Sequence, residues 1–126
     1  MNAFAKAETR AGRSMTSRCL ETVRHGLGKQ GLKLPQSRVD YKTAYAVDCG
    51  KALLANPGRW GWQPVHSPLT GLCLCFFKQC GRLKNGKDAG HVAIYDPATK
   101  TLYANKPYAW SAYWASRIIG AFVPKM

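Results

Sequence analysis

Acidic residues are scarce in this sequence. Six Asp and Glu stand against 19 Lys and Arg in 126 residues, so the formal net charge is +13. This imbalance excludes an acidic, solvating chain, and a surface of that sign attracts polyanions such as nucleic acid, anionic lipid or bacterial envelope polymers. The basic residues are scattered along the chain, so charge alone does not choose among these partners.

Long apolar runs are also missing. No stretch approaches the roughly 20 apolar residues that span a bilayer, so we expect no transmembrane segment. The first ten residues, MNAFAKAETR, lack an apolar stretch after a basic one, which predicts no secretory signal. We therefore expect synthesis in a cytoplasm without a signal peptide. Any action outside the cell then requires release or delivery by another component.

Motifs for metal and nucleic-acid binding are absent from the residue pattern. The five cysteines are an odd number without a C-x2-C pair, so we expect reduced thiols and no zinc site. The segment LCLCFF, residues 72–77, instead predicts a buried strand in which cysteine serves as a small apolar side chain. Zinc-finger spacing, a basic region with heptads and an RNP-like aromatic strand are all missing, so nucleic acid is not an expected partner.

The composition fits a single domain over residues 1–126. Apolar residues make up 46% of the chain, which is enough to bury a core. Residues 1–13 predict a short helix or a flexible arm. A helix with an apolar face follows and ends near Gly31; its candidate caps are Ser14, Thr16 and Ser17, and its apolar face carries Leu20, Val23 and Leu27. A second helix is predicted over residues 44–55, ended by Asn56-Pro57-Gly58.

Alternation with a period of two replaces helical spacing after the second helix. Turn residues separate five runs that predict short strands, at residues 60–65, 72–77, 91–95, 101–104 and 118–123. An aromatic stretch, residues 108–114, precedes the last run. Helices followed by a mostly antiparallel sheet predict an α+β fold.

Cys19 is the cysteine best placed to act as a nucleophile. It lies at the start of a predicted helix, where the helix dipole favours a thiolate and free backbone N–H groups can donate to an oxyanion. Cys49 lies in the middle of a helix, and Cys73 and Cys75 lie in an apolar strand. Burial raises the pKa of a thiol, so these three are expected to be structural.

His91 is the best candidate for the base among the three histidines. His25 lies six residues beyond Cys19 on the same helix, on the wrong face. His66 follows a strand in a Ser-Pro turn and is expected at the surface. His91 begins a strand after Gly90, where its side chain can point into a cleft above the sheet. A lone cysteine or histidine is usually structural, and it is their combination that favours catalysis.

Three segments resemble the NlpC/P60 and CHAP superfamily of cysteine peptidases and amidases. Cys19-Leu-Glu-Thr-Val23, with Gly31-Leu-Lys-Leu-Pro35 after it, resembles the helix that carries the superfamily's nucleophile. The segments GLCLCFF (71–77) and GHVAIY (90–95) are similar to its first core strand and its histidine strand. The order and length fit small phage-borne and secretion-system cell-wall amidases. The chain departs from the pattern after the nucleophile, where Leu20-Glu21 replaces a small Ser-Gly pair.

The resemblance implies a papain-like core and hydrolysis of amide bonds in peptidoglycan stem peptides. It also implies that His91 holds the Cys19 thiolate as an ion pair, and that a polar residue on the next strand orients the imidazole. Asn105 is our choice for that residue, and Tyr103 is the alternative. The candidate substrate-binding residues are Tyr103, Trp110 and Trp114, with Tyr108 beside them; core packing is the alternative for each aromatic residue.

The expected function is therefore a bacteriolytic cysteine peptidase or amidase, either a phage endolysin or a secreted effector, that needs no metal or organic cofactor. The expected partners are peptidoglycan, anionic envelope polymers and, for an effector, an immunity or delivery protein. A monomer that acts on the cell wall or in the periplasm is expected. Two alternatives stay open: an acyltransferase on the same scaffold, and a basic nucleic-acid-binding domain whose Cys and His are structural.

Overall fold

A computed structural model describes residues 6, 7, 9, 19–43, 45–80, 86 and 88–125. The predicted α+β fold is confirmed: in the described chain from residue 19 onward, two helices precede a six-stranded sheet in which every neighbouring pair of strands is antiparallel. The sheet order is β1-β6-β2-β3-β4-β5. Its strands are β1 (Trp62–Val65), β2 (Cys73–Phe77), β3 (His91–Asp96), β4 (Thr101–Tyr103), β5 (Pro107–Ala109) and β6 (Ile118–Pro124).

The first helix, α1 (Cys19–Gly28), buries the apolar stripe that the sequence predicts. Leu20, Val23 and Leu27 are buried at helical spacing, and α1 packs on β3. The chain leaves the helix where the Leu32 N–H donates to the Leu27 carbonyl and Gly31 takes a φ of +74°. The predicted caps Ser14, Thr16 and Ser17 lie outside the described residues, as do residues 1–13 apart from 6, 7 and 9.

The second helix, α2 (Ala46–Ala55), packs on the sheet through a glycine. A Cβ atom at Gly50 would lie 2.7 Å from the Phe76 side chain, so the absence of a side chain at 50 lets the helix approach β2 closely. Asn56 ends the helix, and a 3-10 turn, Pro57–Trp60, follows it. The last residue of this turn is the first residue of the predicted strand 60–65. Gly61 has a φ of +83°, and β1 therefore starts only at Trp62.

The central strands are buried on both faces of the sheet. All five residues of β2 and all six of β3 are buried, which confirms the predicted buried strand, although it starts at Cys73 and leaves Leu72 outside it, half-buried. One face, the helix face, carries Leu74, Phe76, Val92 and Ile94 and is covered by α1 and α2. Because both faces of this strand are buried, its sequence is a continuous apolar run and does not alternate between apolar and polar residues.

The opposite face, the aromatic face, carries His91. Phe77 lies directly opposite His91 in the register of β2 with β3, and side chains directly opposite each other share a face. Tyr95 shares this face by alternation and Tyr108 joins it through Leu102. The aromatic stretch that covers it contains two elements that the sequence did not predict, namely β5 and a short helix, α3 (Ala112–Ala115). No helix among the described residues is long and apolar enough to cross a membrane.

Candidate active site

Cys19 is the first residue of α1 and lies against the histidine strand. Burial raises the pKa of its thiol above the ordinary value, while the backbone N–H groups of Val92, Leu20 and Cys19 itself act in the opposite direction. Val92 directly follows His91 in β3. The sulfur therefore lies beside backbone amides from two elements, at the point of the sheet where His91 begins its strand.

His91 is buried among aromatic rings. Its ring centroid lies 5.0 Å from that of Trp114, 5.1 Å from that of Tyr108 and 6.1 Å from that of Phe77. We call Phe77, Tyr108 and Trp114 the aromatic cage. The Nε2 atom of His91 is buried and has no hydrogen-bond partner in the part of the chain that the structure describes. Burial lowers the pKa of the imidazole from 6.5 to about 4, so the ring is neutral at physiological pH.

The two candidate catalytic groups are both neutral in this closed arrangement. Burial raises the pKa of Cys19 and lowers that of His91, and both shifts oppose the thiolate–imidazolium ion pair that the resemblance implies. Within the described part of the chain, no hydrogen bond joins the Cys19 sulfur to His91. A neutral imidazole is the protonation state that a general base requires.

Among the described residues, no hydrogen bond joins Asn105 to His91. It lies between β4 and β5, in a turn where the Ala104 N–H donates to the Lys106 carbonyl. The Asn105 side-chain oxygen Oδ1 accepts a hydrogen bond of 3.3 Å from the Tyr108 hydroxyl. Tyr108 is in turn a neighbour of His91, so a tyrosine separates the predicted orienting residue from the imidazole.

Tyr103 lies on the other face of the sheet from His91. It is directly opposite Ile94 in the register of β4 with β3, which places it on the helix face. Its ring is buried, with the Lys6 ammonium 5.3 Å from the ring centroid. Lys6 also forms an ion pair of 2.8 Å with Asp96. The register therefore gives no support to a contact between Tyr103 and His91.

The two candidate tryptophans cover the aromatic face. Trp114 packs edge-on against Phe77 at 5.1 Å and faces His91. Trp110 packs on Tyr95, with 4.4 Å between ring centroids. Both are partly exposed and pack against the core from outside. They belong to a cover over the histidine, and their role in substrate binding stays a prediction.

The remaining cysteines are buried in the fold. Burial raises the pKa of Cys49 to about 11, as expected of a structural thiol. The Cys73 and Cys75 sulfurs lie 3.7 Å apart on one face of β2. No group of three His, Cys, Asp or Glu side chains that could hold a metal ion occurs within the ranges that the structure describes.

The sequence analysis did not identify two residues that help to hold the site in place, Tyr108 and Asp88. Tyr108 was named only as one aromatic among several, because the three-residue strand that directs it is too short to recognise. Asp88 accepts hydrogen bonds from the N–H groups of Gln79, Cys80 and Gly90 and so fixes the chain before the histidine strand. The signal for it was available: an aspartate two residues before a glycine is typical of a turn closed by its own carboxylate.

The fold has a solved counterpart. The chain is similar to a chain in the crystal structure of the type VI native effector–immunity complex Tae3–Tai3 from Ralstonia pickettii. The TM-score is 0.58 and the sequence identity 22%, and the similarity covers 98% of this chain and 97% of that chain. No family model and no curated protein matches the sequence significantly. The comparison therefore establishes a shared α+β fold over the whole chain, and the resemblance to NlpC/P60 and CHAP enzymes stays a prediction.

Proposed function

We propose that the protein is a cell-wall-degrading cysteine amidase or peptidase that cleaves amide bonds in peptidoglycan stem peptides. The observation that carries this proposal is the position of the Cys19 sulfur beside the backbone N–H of Val92, the residue after His91. A thiol, an imidazole and backbone donors are the groups that acyl transfer through a thioester requires.

The reaction begins from the neutral pair. His91 takes the Cys19 thiol proton as the sulfur attacks the amide carbonyl carbon, and the N–H groups near the sulfur donate to the oxyanion that forms. The carbon–nitrogen bond then breaks, and the imidazolium returns the proton to the leaving amine, which leaves a thioester on Cys19. His91 next removes a proton from a water molecule that attacks the thioester, the carbon–sulfur bond breaks, and the imidazolium returns the proton to the departing Cys19 sulfur. The products are a carboxylate and the free thiol.

The comparison and the charge support an effector delivered to the envelope of another bacterium. A chain of the same fold occurs in a type VI effector–immunity complex, and a net charge of +13 favours attachment to anionic envelope polymers. For this protein we infer delivery to the periplasm by a secretion apparatus. We also infer that the producing cell holds an immunity protein that binds the effector.

Purified peptidoglycan fragments, read by mass spectrometry, test the proposal. Hydrolysis creates new amine ends. An acyltransferase gives adducts only when an amine acceptor is added, and a nucleic-acid-binding domain gives neither product. We expect new amine ends with the natural chain and none with Cys19→Ala, whose fold is retained because the substitution removes only one sulfur atom. Cys80→Ala is the matched control, since Cys80 is also a nearly buried thiol and is expected to leave hydrolysis intact.

A further inference from the structure

Among the described residues, the Nε2 atom of the candidate base has no hydrogen-bond partner. The cage gives His91 three aromatic neighbours, and burial is the cause of its lowered pKa. The titratable groups beside it are Cys19 on α1 and Tyr108 on β5. Besides burial, a negative charge on the Cys19 sulfur raises the pKa of the Tyr108 hydroxyl. Within the described residues, it is therefore the packing of the aromatic cage that fixes the plane of the imidazole.

Tyr108 is the one cage member with a polar anchor. Its ring meets the His91 ring at an interplanar angle of 80°, edge against face, which is a favoured geometry for aromatic pairs. Its hydroxyl donates to Asn105 Oδ1. The Lys106 ammonium lies 5.2 Å from the centroid of the Tyr108 ring and covers it. Rotation of the tyrosine away from His91 would break the hydrogen bond to Asn105.

We propose that Asn105 positions His91 through Tyr108, so that a hydrogen-bonded Tyr108–Asn105 pair does the work of the polar residue that orients an imidazole directly. This inference rests on the proposed function only in taking His91 as the base. Asn105 and Tyr108 are positioning residues: they hold the wall of the cage, keep water from the imidazole and fix the orientation of its ring.

A double-mutant cycle on the rate separates this indirect route from a direct contact. Tyr108→Phe keeps the ring and removes the hydroxyl, and Asn105→Ala removes the acceptor. We expect each single variant to lower kcat about fivefold with little change in KM, which is the effect of losing one hydrogen bond of ordinary strength. The double variant should be no slower than Tyr108→Phe. An additional loss on Asn105→Ala in the Tyr108→Phe background would overturn the proposal.

A second measurement does not depend on hydrolysis. In Cys19→Ala protein, NMR titration of the His91 ring reports its pKa and tautomer directly. Loosening the cage admits water, so Tyr108→Phe and Asn105→Ala should each raise that pKa toward its ordinary value, and by the same amount when combined as when Tyr108→Phe is present alone. Tyr113→Phe is the matched control. It belongs to the same stretch and packs on Trp114, and it should leave the His91 titration unchanged.

The two measurements fail in different ways. Absence of new amine ends from peptidoglycan would overturn the proposed function, while the NMR cycle would still test the connection from Asn105 to His91. Hydrolysis together with unchanged His91 titration in both single variants would overturn the positioning role alone.

Discussion

Gly90 and Val47 are in backbone contact at the start of the histidine strand. A Cβ atom at position 90 would lie 2.6 Å from both the Cβ and the backbone nitrogen of Val47. The Val47 N–H donates to the Ala89 carbonyl, and the Gly90 N–H donates to the Cys80 carbonyl. This contact fixes the position of the first residue of β3 relative to α2, and so the position from which the His91 side chain leaves the sheet.

Substitution of Gly90 by Ala should destabilise the protein. The Cβ atom would collide with the backbone of α2, and a φ of +70° is unfavourable for alanine. We expect a loss of about 2–4 kcal/mol in the free energy of unfolding, measured by urea denaturation. The control is Gly28→Ala at the end of α1, where no atom lies within 4 Å of the added Cβ, and which should be neutral or slightly stabilising. Equal stability of the two variants would contradict the contact.

Cys19 should be the first thiol alkylated in the folded protein. Its residue is 9% exposed against 6% for Cys80 and at most 1% for the other three cysteines. Because burial raises its pKa, alkylation by iodoacetamide should be slow at pH 7 and accelerate as the pH rises beyond 9. Peptide mapping after short exposure identifies the labelled residue, and unfolded protein, in which all five thiols react, is the control. First labelling of Cys80 would refute this order.

Protonation of His91 should destabilise the fold in mild acid. Its pKa is about 4 in the folded protein and 6.5 ordinarily, so the unfolded chain binds more protons between these values. This part of the stability is fully present above pH 6.5 and is lost as the pH falls through the window to about 4. The loss amounts to roughly 3 kcal/mol at most. The carboxyl groups of Asp88 and Asp96, whose pKa values are lowered from 3.8, lose their contributions below that window.

Urea denaturation at several pH values between 4 and 8 measures this loss. His91→Gln should flatten the dependence in the window, whereas His66→Gln, at an exposed position, should keep it. If the free energy of unfolding of the unsubstituted protein stayed constant from pH 7 to pH 5, His91 would be hydrated and not enclosed.

The cationic surface should hold the protein on the cell wall in a salt-dependent manner. Exposed attractions are largely screened beyond a Debye length of about 8 Å at physiological ionic strength, so binding to purified sacculi should fall steeply as salt rises. Turnover of a small soluble stem peptide should change far less, because under the proposed mechanism Cys19 and His91 act at short range inside a covered site. Equal loss on both substrates would mean that salt acts on the site or the fold. Binding that persists at high salt would identify the aromatic stretch as the anchor.

Much of the fold follows from local patterns. Leu20, Val23 and Leu27 have the spacing of a helix face, and residues 72–77 and 91–95 have the length and composition of buried strands; the structure contains each of these elements. The boundaries that moved have local causes as well. The 3-10 turn before Gly61 shortens the predicted strand 60–65 at its start. The turn at residues 104–106 ends β4 at Tyr103, one residue before the predicted end of the strand 101–104.

The site itself was predictable only in part. Sequence spacing selected Cys19 at a helix start and His91 at a strand start, and their catalytic roles stay predictions. The partner of Asn105 was not predictable, because it depends on a three-residue strand that turns Tyr108 back over the sheet. The face on which Tyr103 lies was not predictable either, since it depends on the register of β4 with β3.

The sequence by itself determined the net charge, the two helices ahead of the sheet and five of its six strands, and which thiol and imidazole have the backbone positions that catalysis favours. Only the tertiary structure decided that the imidazole is enclosed by Phe77, Tyr108 and Trp114 and is therefore neutral. The physical reason is that desolvation depends on every group that excludes water from a site. Here those groups come from β2, β5 and α3, whose meeting place is set by the pairing of strands and not by any local pattern.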